Sequence, residues 1–366
     1  MKIAIITMSN GVNYGNRLQN YAMQRVLESL GADVETIINY TGQEIINENS
    51  LKEKIKDFLA EVNYNIPKFK IAKLDYILRE RRFKKFNKKN IKQTDYFITK
   101  DNIPDNINQK YNYFVCGSDQ IWNPEFQINS HIDFLSFAEK GKKIAYAPSF
   151  GVSELPKDCI DKYKEWINGI DYLSVREEAG AEIIKNITER EAVVLLDPTL
   201  MLNKSEWLKI VEKPKLQLRK KYILTYFLGS KEKEVENRIL KIAEEYNYEI
   251  INLMDEKNKY IYSVDPAEFV WLINNCELFC TDSFHGGVFS IIMKKAFIIF
   301  ERKDKLQSMN SRLETLLSKF NMENRLDKNI VSNGQIFNID FSNVDKIISA
   351  EKEKTITYLK NSLNIK

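Results

Sequence analysis

The hydrophobic pattern of the first 40 residues predicts a strand, a polar loop, a helix and a second strand. Residues 2–8 form a continuous apolar run rich in β-branched side chains, which is typical of a buried parallel strand. Residues 17–30 carry apolar side chains at helical spacing and end before Gly31, and 34–38 form the next apolar run. This β–loop–α–β order predicts the start of a Rossmann-like domain.

The middle of the chain repeats short apolar strands that end in small, polar or charged residues. The predicted strands cover residues 113–116, 143–147, 172–175 and 193–196. Open parallel sheets build their ligand sites at the carboxyl ends of the strands. We therefore expect the residues that follow these strands to gather at one edge of the sheet.

A second α/β set begins near residue 222 and completes the predicted fold. Its strands are predicted at 222–227, 248–253, 277–281 and 296–300, and its helices at about 231–247, 266–276 and 284–294. The predicted class is α/β, with two Rossmann-like domains facing each other across a cleft, as in the GT-B fold. The predicted N-terminal domain is 1–200 and the C-terminal domain 201–343. The last helix, at about 344–362 within the segment 344–366, either crosses back onto the first domain or stays with the second.

Residues 50–110 differ from the rest of the chain because Lys and Arg surround a stripe of apolar residues there. This pattern predicts a basic, amphipathic helical insertion in the N-terminal domain. One interpretation is a solvated surface helix that packs along its apolar stripe. The other is a surface that meets anionic lipid or a polyprenyl-diphosphate carrier.

Composition narrows the functional classes. The chain has 366 residues with 55 Lys and Arg against 51 Asp and Glu, a balance that does not favour nucleic acid as a partner. Its four cysteines form no CxxC pair, so we expect free thiols in a reducing cytoplasm and no metal site. No apolar run approaches the roughly 18 to 20 residues of a membrane span. We therefore predict a cytoplasmic protein, at most peripheral at the inner face of the membrane, and leave its oligomeric state open.

The stretch 280–290 carries the clearest chemical signal. A predicted strand ends in Thr, Asp and Ser, and a helix then begins with His285 and two glycines. Free N–H groups in a first helical turn favour an anion, and glycines allow a ligand to approach the backbone. His285 is one of only two histidines, so it is the candidate for proton transfer near neutral pH. A buried structural histidine is the alternative.

Five motifs in a fixed order resemble the polysaccharide pyruvyl transferase family. They lie at residues 13–22, 117–124, 174–177, 197–199 and 281–286. The resemblance implies transfer of pyruvate from phosphoenolpyruvate onto a sugar of a surface-polysaccharide repeat unit, forming a ketal on a GT-B-like fold. It implies no cofactor, and the dinucleotide-binding GxGxxG pattern is missing after the first strand.

The chemistry of that reaction predicts a set of site residues. His285 is expected to move protons, and Arg176 to join it as an anion clamp or else to form an interdomain salt bridge. The predicted donor-binding residues, for which packing or solvated charge is the alternative, are Ser283, Gly286, Gly287, Arg302, Lys305 and Arg312. The predicted acceptor-binding residues, for which turn chemistry is the alternative, are Asn13, Tyr14, Asp119, Gln120 and Trp122. Asp197 is interpreted as an interdomain turn, with a catalytic role as the alternative.

Two other functions remain open at this point. A GT-B glycosyltransferase with a nucleotide-sugar donor would also need a basic cleft, a helix N-terminus for the diphosphate and a histidine base. A non-catalytic member of the family would bind polysaccharide precursors without turnover. The sugar acceptor is either a simple glycoside or linked to a polyprenyl diphosphate.

Overall fold

Two parallel β-sheets, one from each half of the chain, form the centre of the protein. The computed structural model describes residues 1–9, 11–40, 69–126, 130–302 and 311–365. The N-terminal sheet has the order β3-β2-β1-β4-β5, with β1 at Lys2–Ile6, β2 at Asp33–Asn39, β3 at Gln93–Ile98, β4 at Tyr113–Cys116 and β5 at Lys143–Ala145. A bridge between Ile144 and Tyr172 leads to a further parallel pair, β6 at Ser174–Val175 and β7 at Val193–Val194.

The second sheet is also parallel and has the order β11-β10-β8-β9. Its strands are β8 at Tyr222–Tyr226, β9 at Glu249–Asn252, β10 at Leu278–Thr281 and β11 at Phe297–Ile299. In register, Thr281 lies between Tyr226 and Ile299, so the carboxyl ends of three strands meet at one point. The α/β class with two Rossmann-like sheets, in a GT-B-like arrangement, agrees with the sequence prediction.

Helices cover the sheets and connect their strands. Their bounds are α1 Tyr14–Ser29, α2 Phe69–Asn90, α3 Ile107–Lys110, α4 Ile160–Asn168, α5 Glu178–Thr188, α6 Lys204–Leu208, α7 Lys233–Tyr246, α8 Lys259–Tyr262, α9 Pro266–Asn275, α10 Phe284–Met293, α11 Ser311–Lys319, α12 Gly334–Phe337 and α13 Val344–Ser362. No helix in the described ranges combines the length and the apolar character needed to cross a membrane.

The first helix begins at Tyr14, three residues before its predicted start. Asn13 caps it, because its side-chain oxygen accepts a hydrogen bond from the N–H of Asn16 at 3.2 Å. Gly15 therefore lies in the first helical turn, and it does not have the positive φ expected of a turn glycine. The apolar spacing that marks the helix begins only after this polar first turn, so the sequence pattern concealed its start.

The basic segment is not simply an insertion on the surface, because the part that is described belongs to the N-terminal sheet. Helix α2 leads into strand β3, which pairs with β2 at the sheet edge. The strand was missed because its polar positions continue the basic segment and leave a weak apolar signal. Residues 50–68 of the predicted insertion lie outside the described residues.

Helix α2 also joins the two halves of the protein. The Arg79 guanidinium is buried over the rings of Tyr14 and Tyr262, which come from different halves of the chain. Arg82 forms an ion pair with Glu268 at 2.6 Å. Two of the basic residues of this helix therefore serve interdomain packing, whereas its other face carries exposed lysines.

An apolar core runs from one sheet to the other. The Tyr14 ring stacks on Phe269 with 4.3 Å between the ring centroids, and the Tyr14 hydroxyl donates to the carbonyl oxygen of Val264 at 3.0 Å. Stacked, fully buried rings of this kind resist separation, since opening the interface would expose both faces to water. The carboxyl ends of the two sheets are thereby held close to each other.

Helix α13 returns from the end of the chain to the N-terminal sheet. The Tyr358 hydroxyl donates to the carbonyl oxygen of Ala145 at 2.8 Å. Asn364, just beyond the helix, donates to the Tyr113 hydroxyl at 2.9 Å. The end of the chain therefore contacts β4 and β5, although the second sheet precedes it in sequence.

Candidate active site

A buried carboxylate, Asp197, is the centre of the polar cluster between the sheets. Its Oδ2 accepts hydrogen bonds from Arg176 Nη1 at 2.8 Å and Ser118 Oγ at 3.1 Å. Its Oδ1 accepts from the backbone N–H of Thr199 at 3.0 Å and from the hydroxyl of that residue at 2.6 Å. His285 Nε2 lies 3.5 Å from Oδ2, which is an ion-pair distance rather than a tight hydrogen bond.

The charges around Asp197 decide its protonation. Burial alone raises the pKa of this carboxyl, but His285 and Arg176 favour the charged form more strongly. The net effect holds the pKa of Asp197 well below its ordinary value of 3.8. Asp197 is thus an anion at any pH where the protein works, and it can orient the imidazole and stabilise a proton on it.

The imidazole of His285 is clamped between Asp197 and the backbone of the first helix. A methyl group built on Gly15 would lie only 2.1 Å from His285 Nδ1. Only a glycine can therefore occupy position 15 with the ring in this place. With Nε2 facing Asp197 and the other edge of the ring against Gly15, the orientation of His285 is set by residues from two distant parts of the chain.

Arg176 is enclosed by carboxylates, which corrects its prediction as an anion clamp. Besides Asp197, its guanidinium donates to Asp119 Oδ1 at 3.4 Å and lies 4.0 Å from Glu177 Oε2. Burial lowers the pKa of Arg176, but these three anions outweigh it and raise the pKa above the ordinary value. Both Nη groups are occupied, so the structure makes Arg176 a positioning partner of Asp197.

Arg312 is the second buried arginine at this point. Its guanidinium carbon lies 5.9 Å from the centroid of the Phe284 ring. The guanidinium carbon of Arg176 lies closer to the same ring, at 4.3 Å. The Nε of Arg312 is buried and has no hydrogen-bond partner. Burial and the charge of Arg176 together lower the pKa of Arg312 to about 10, so it remains a cation at neutral pH. We call His285, Asp197, Arg176, Asp119 and Arg312 the His285 cluster.

Arg302 and Lys305, the two other cations predicted to bind the donor, are not part of the buried group around Phe284 in the described structure. Arg302 donates to Asp282 Oδ2 at 3.3 Å, beside the cluster. The same carboxylate accepts from the backbone N–H groups of Leu228 and Gly229, so Asp282 neither caps α10 nor orients His285. Lys305 lies outside the described residues.

The polar residue and glycines around His285 have structural roles. Ser283 caps α10 by accepting a hydrogen bond from the N–H of Gly286 at 3.3 Å. A methyl group on Gly286 would lie 2.7 Å from the Thr281 side chain, and one on Gly287 would crowd Ile299 at 3.3 Å. Packing of α10 against the sheet therefore requires both glycines, whichever ligand the helix N-terminus binds.

Two predicted acceptor residues belong to the core instead. The Trp122 ring is fully buried, stacks on Phe134 at 4.9 Å and donates its indole N–H to the carbonyl oxygen of Asp133. Tyr14 is equally buried at the interdomain contact. Neither ring has a face free for a sugar, so these two predictions are wrong. An aromatic residue beside a polar turn is typical of a sugar-binding site, but these two rings pack in the core instead.

The remaining predicted acceptor residues are held by the protein itself. Asp119 has a left-handed backbone with φ of 57° and faces Arg176. Gln120 packs so tightly on Gly151 that a methyl group there would lie 2.0 Å from Gln120 Nε2. Asn13 is the cap of α1. Of these three, only Asp119 belongs to the His285 cluster.

Sequence reasoning missed or misread three residues of this region. Asp197 was interpreted as a turn, and Glu177 was not singled out, although it accepts hydrogen bonds from Ser149, Phe150 and Gly151. Gly15, in the first of the five motifs, gives no sign in the sequence that it contacts His285. Each of these roles depends on a partner far away in sequence, so no local pattern signals it.

A groove of about 650 Å³ opens beside the cluster at the carboxyl ends of the second sheet. Phe227, Phe300, Asp282 and Glu301 contribute to its lining. The lining does not include the buried His285, Arg176 or Arg312. The groove reaches Asp282, three residues before His285 in the chain.

Comparison with known families identifies the chain. The family model described as polysaccharide pyruvyl transferase matches residues 13–304, which is most of the sequence. This chain belongs to the polysaccharide pyruvyl transferase family. As a member, it is a transferase, and the family implies a sugar or polysaccharide as acceptor. A comparison with curated proteins found no match.

Solved structures show a distant likeness to this pyruvyl transferase family member. A Listeria monocytogenes protein described as a UDP-N-acetylglucosamine 2-epimerase has a TM-score of 0.49 at 8% identity, with 100% of this chain and 97% of that chain covered. The Methanocaldococcus jannaschii UDP-GlcNAc 2-epimerase in complex with UDP-GlcNAc and UDP has a TM-score of 0.44 at 16% identity, covering 99% and 100%. These likenesses are too distant to assign a ligand or a reaction.

The contact between Gly15 and His285 gives a test of the site in this pyruvyl transferase. We expect Gly15→Ala to lower transferase activity by about tenfold to a hundredfold, because the new methyl group displaces the imidazole. The helix itself should tolerate alanine. Activity and thermal unfolding are measured together, with Gly334→Ala as the matched control, since a methyl group there meets open space. Unchanged activity in Gly15→Ala would contradict a role for this ring position.

Proposed function

We propose that this protein transfers the pyruvyl group of phosphoenolpyruvate onto two hydroxyls of a sugar in a surface-polysaccharide repeat unit. The first hydroxyl oxygen bonds to the central carbon of the enol while the methylene carbon gains a proton. The second hydroxyl then displaces phosphate from the same carbon and closes the cyclic ketal. The products are the ketal and inorganic phosphate, and the proposal includes no cofactor.

The observation that carries the proposal is the group of buried nitrogen atoms around Phe284. The rings of Phe284 and His285 lie 5.3 Å apart, and Arg312 approaches the same Phe284 ring. His285 Nε2 and Arg312 Nε are buried without a hydrogen-bond partner. A buried nitrogen of this kind without a partner is costly, and an anionic ligand that accepts a hydrogen bond from it would offset this cost.

Phosphoenolpyruvate fits this set because it carries a carboxylate and a phosphate on one carbon. Arg312 supplies a charged fork, and the N-terminus of α10 supplies backbone N–H groups and a positive dipole end. Electrostatic interactions are stronger in such a buried place than in water. These groups favour binding of the donor anion and stabilise the phosphate as it leaves.

In this proposal, His285 carries out the proton transfers of the reaction. The reaction needs a group that takes protons from the sugar hydroxyls and supplies one to the methylene carbon. The Asp197 carboxylate lies 3.5 Å from Nε2 and stabilises positive charge on the ring while it carries a proton in transit. Nε2 has no hydrogen-bond partner, whereas the Nδ1 edge of the ring lies against Gly15, so Nε2 is the nitrogen that exchanges protons with the substrate.

Phosphate release decides between this function and its rivals. Purified protein is incubated with phosphoenolpyruvate and a panel of lipid-linked and simple glycosides, and thermal unfolding is followed with phosphoenolpyruvate or a nucleotide sugar. We expect acceptor-dependent phosphate release and protection by phosphoenolpyruvate alone. Protection by a nucleotide sugar would support a glycosyltransferase instead. Binding of glycans without turnover of either donor would support a precursor-binding protein.

A further inference from the structure

A further buried arginine, apart from Arg176 and Arg312 of the His285 cluster, has two guanidinium nitrogens without hydrogen-bond partners. Arg17, in the first turn of α1, has only 3% of its surface exposed. One of its nitrogens, Nη2, donates to the carbonyl oxygen of Gly11. Its Nε and Nη1 are buried with no hydrogen-bond partner. Burial lowers the pKa of Arg17 to about 10, so the side chain is still charged at neutral pH.

The position of this guanidinium is set by its bond to Gly11, which lies two residues before the Asn13 cap. The Arg17 side chain therefore turns back over the N-terminal end of α1, a helix of 16 residues. Ser9, four residues before the Asn13 cap in the chain, also has a buried hydroxyl that lacks a hydrogen-bond partner. A guanidinium, a hydroxyl and a helix N-terminus are the groups that proteins use to hold phosphate.

This second set of donors does not belong to the donor site around His285. Gly15 contacts the His285 ring, and Arg17 follows two residues later on the same helix. Side chains two residues apart on a helix point to different faces. Arg17 and the contact with His285 therefore lie on different faces of α1.

Helix α2 carries a charged group, Glu80, that interacts electrostatically with Arg17. The negative charge of Glu80 partly opposes the effect of burial on the pKa of Arg17. Glu80 also forms an ion pair with Lys84 at 3.1 Å. Arg81, Lys85 and Lys88 lie on the exposed face of α2. Lys84 thus partly offsets the negative charge that Glu80 places near Arg17.

We propose that Arg17, Ser9 and the N-terminus of α1 form a second anion subsite, which holds a phosphate group of a phosphorylated or diphosphate-linked sugar acceptor. The inference rests on the proposed function, because it assigns the subsite to the acceptor of that reaction. The sugar would extend from this phosphate toward His285 on the other side of Gly15. The subsite would make an acceptor with a phosphate at its reducing end a better substrate than the free glycoside.

The direct test measures binding and needs no turnover. Inorganic pyrophosphate is titrated by calorimetry into the wild-type protein and Arg17→Gln, with phosphoenolpyruvate present in excess. We expect Arg17→Gln to weaken pyrophosphate binding by about tenfold to a hundredfold, as for the loss of hydrogen bonds to a charged group. Arg25→Gln is the matched control, since Arg25 lies on the same helix but pairs with Glu28. Equal pyrophosphate affinity in Arg17→Gln and the wild type would overturn the subsite.

Kinetics then separate the acceptor from the donor. We expect Arg17→Gln to raise KM for a glycosyl diphosphate, while KM for the same sugar as an uncharged glycoside and for phosphoenolpyruvate stays constant. A rise in KM for phosphoenolpyruvate instead would overturn the assignment to the acceptor. If Arg17→Gln does not fold, Ser9→Ala serves, with a loss of about fivefold in pyrophosphate affinity expected. Arg17-dependent pyrophosphate binding without pyruvyl transfer would support the subsite while the proposed function fails.

Discussion

Replacing His285 by glutamine is expected to lower kcat for pyruvyl transfer by about 10²- to 10⁴-fold, the range of general acid–base catalysis. Glutamine is polar and of similar size, but it cannot exchange a proton near neutral pH. The residue lies at the N-terminus of α10, where Asp197 and Gly15 fix the orientation of its ring. The measurement is phosphate release at saturating phosphoenolpyruvate and acceptor.

The control for this variant uses the other histidine of the chain. His131 is partly exposed in a short helical turn, where its Nδ1 contacts the Ser136 hydroxyl. His131→Gln should keep wild-type kcat. Calorimetry with phosphoenolpyruvate shows whether His285→Gln still binds the donor, which separates chemistry from binding. Wild-type turnover in His285→Gln would remove this histidine from the proposed mechanism.

Replacing Asp197 by asparagine should cost both stability and activity. The change leaves the Arg176 guanidinium buried beside a neutral amide, and removing one partner of a buried ion pair destabilises proteins by about 3–5 kcal/mol. The imidazole of His285 loses its anion at the same time, so phosphate release should fall by at least about a hundredfold. Urea unfolding at pH 7 measures the first effect.

The pH dependence of stability supplies a second readout for Asp197. Its pKa is lower in the folded protein than the ordinary 3.8, so below that pH the unfolded chain binds a proton that the folded one does not. Its contribution to the free energy of unfolding is therefore complete above pH 3.8 and declines as the pH falls further. Asp197→Asn should lack this part of the acid-side decline.

A surface ion pair provides the matched control for Asp197→Asn. Asp345 pairs with Lys294 at 2.7 Å, but most of its side chain is exposed. Asp345→Asn should change the free energy of unfolding by no more than about 1 kcal/mol, since solvent screens such pairs. A similarly small change in Asp197→Asn would show that the buried network does not depend on this carboxylate.

The burial of Arg176 and the exposure of the α2 lysines show why charge patterns alone mislead. Arg176 follows a strand, as a ligand-binding arginine would, yet carboxylates from three places in the sequence surround it. The basic segment containing α2 looked like a uniform charged surface. In the structure, however, Arg79 packs over Tyr262 and Arg82 pairs with Glu268, so both stabilise the contact between the two halves of the protein. Sequence composition does not distinguish a paired charge from a free one.

The sequence by itself determined the local elements and the place of His285. Continuous β-branched runs predict buried parallel strands, and the strand, polar turn and glycine-containing helix at 278–293 place the histidine at a helix N-terminus. Periodicity and turn chemistry depend on neighbouring residues, so they can be read locally. The order of the five family motifs, which lie along a single chain, was equally visible.

Only the tertiary structure decided which side chains meet. Asp197 and His285 are 88 positions apart, and the contact of His285 with Gly15 spans most of the chain. Trp122 and Tyr14 looked like ligand platforms, yet folding buries both rings because large aromatic surfaces stabilise the core more than they would at a wet site. Sheet topology brings these distant segments together, and no local pattern encodes which polar partners they will find there.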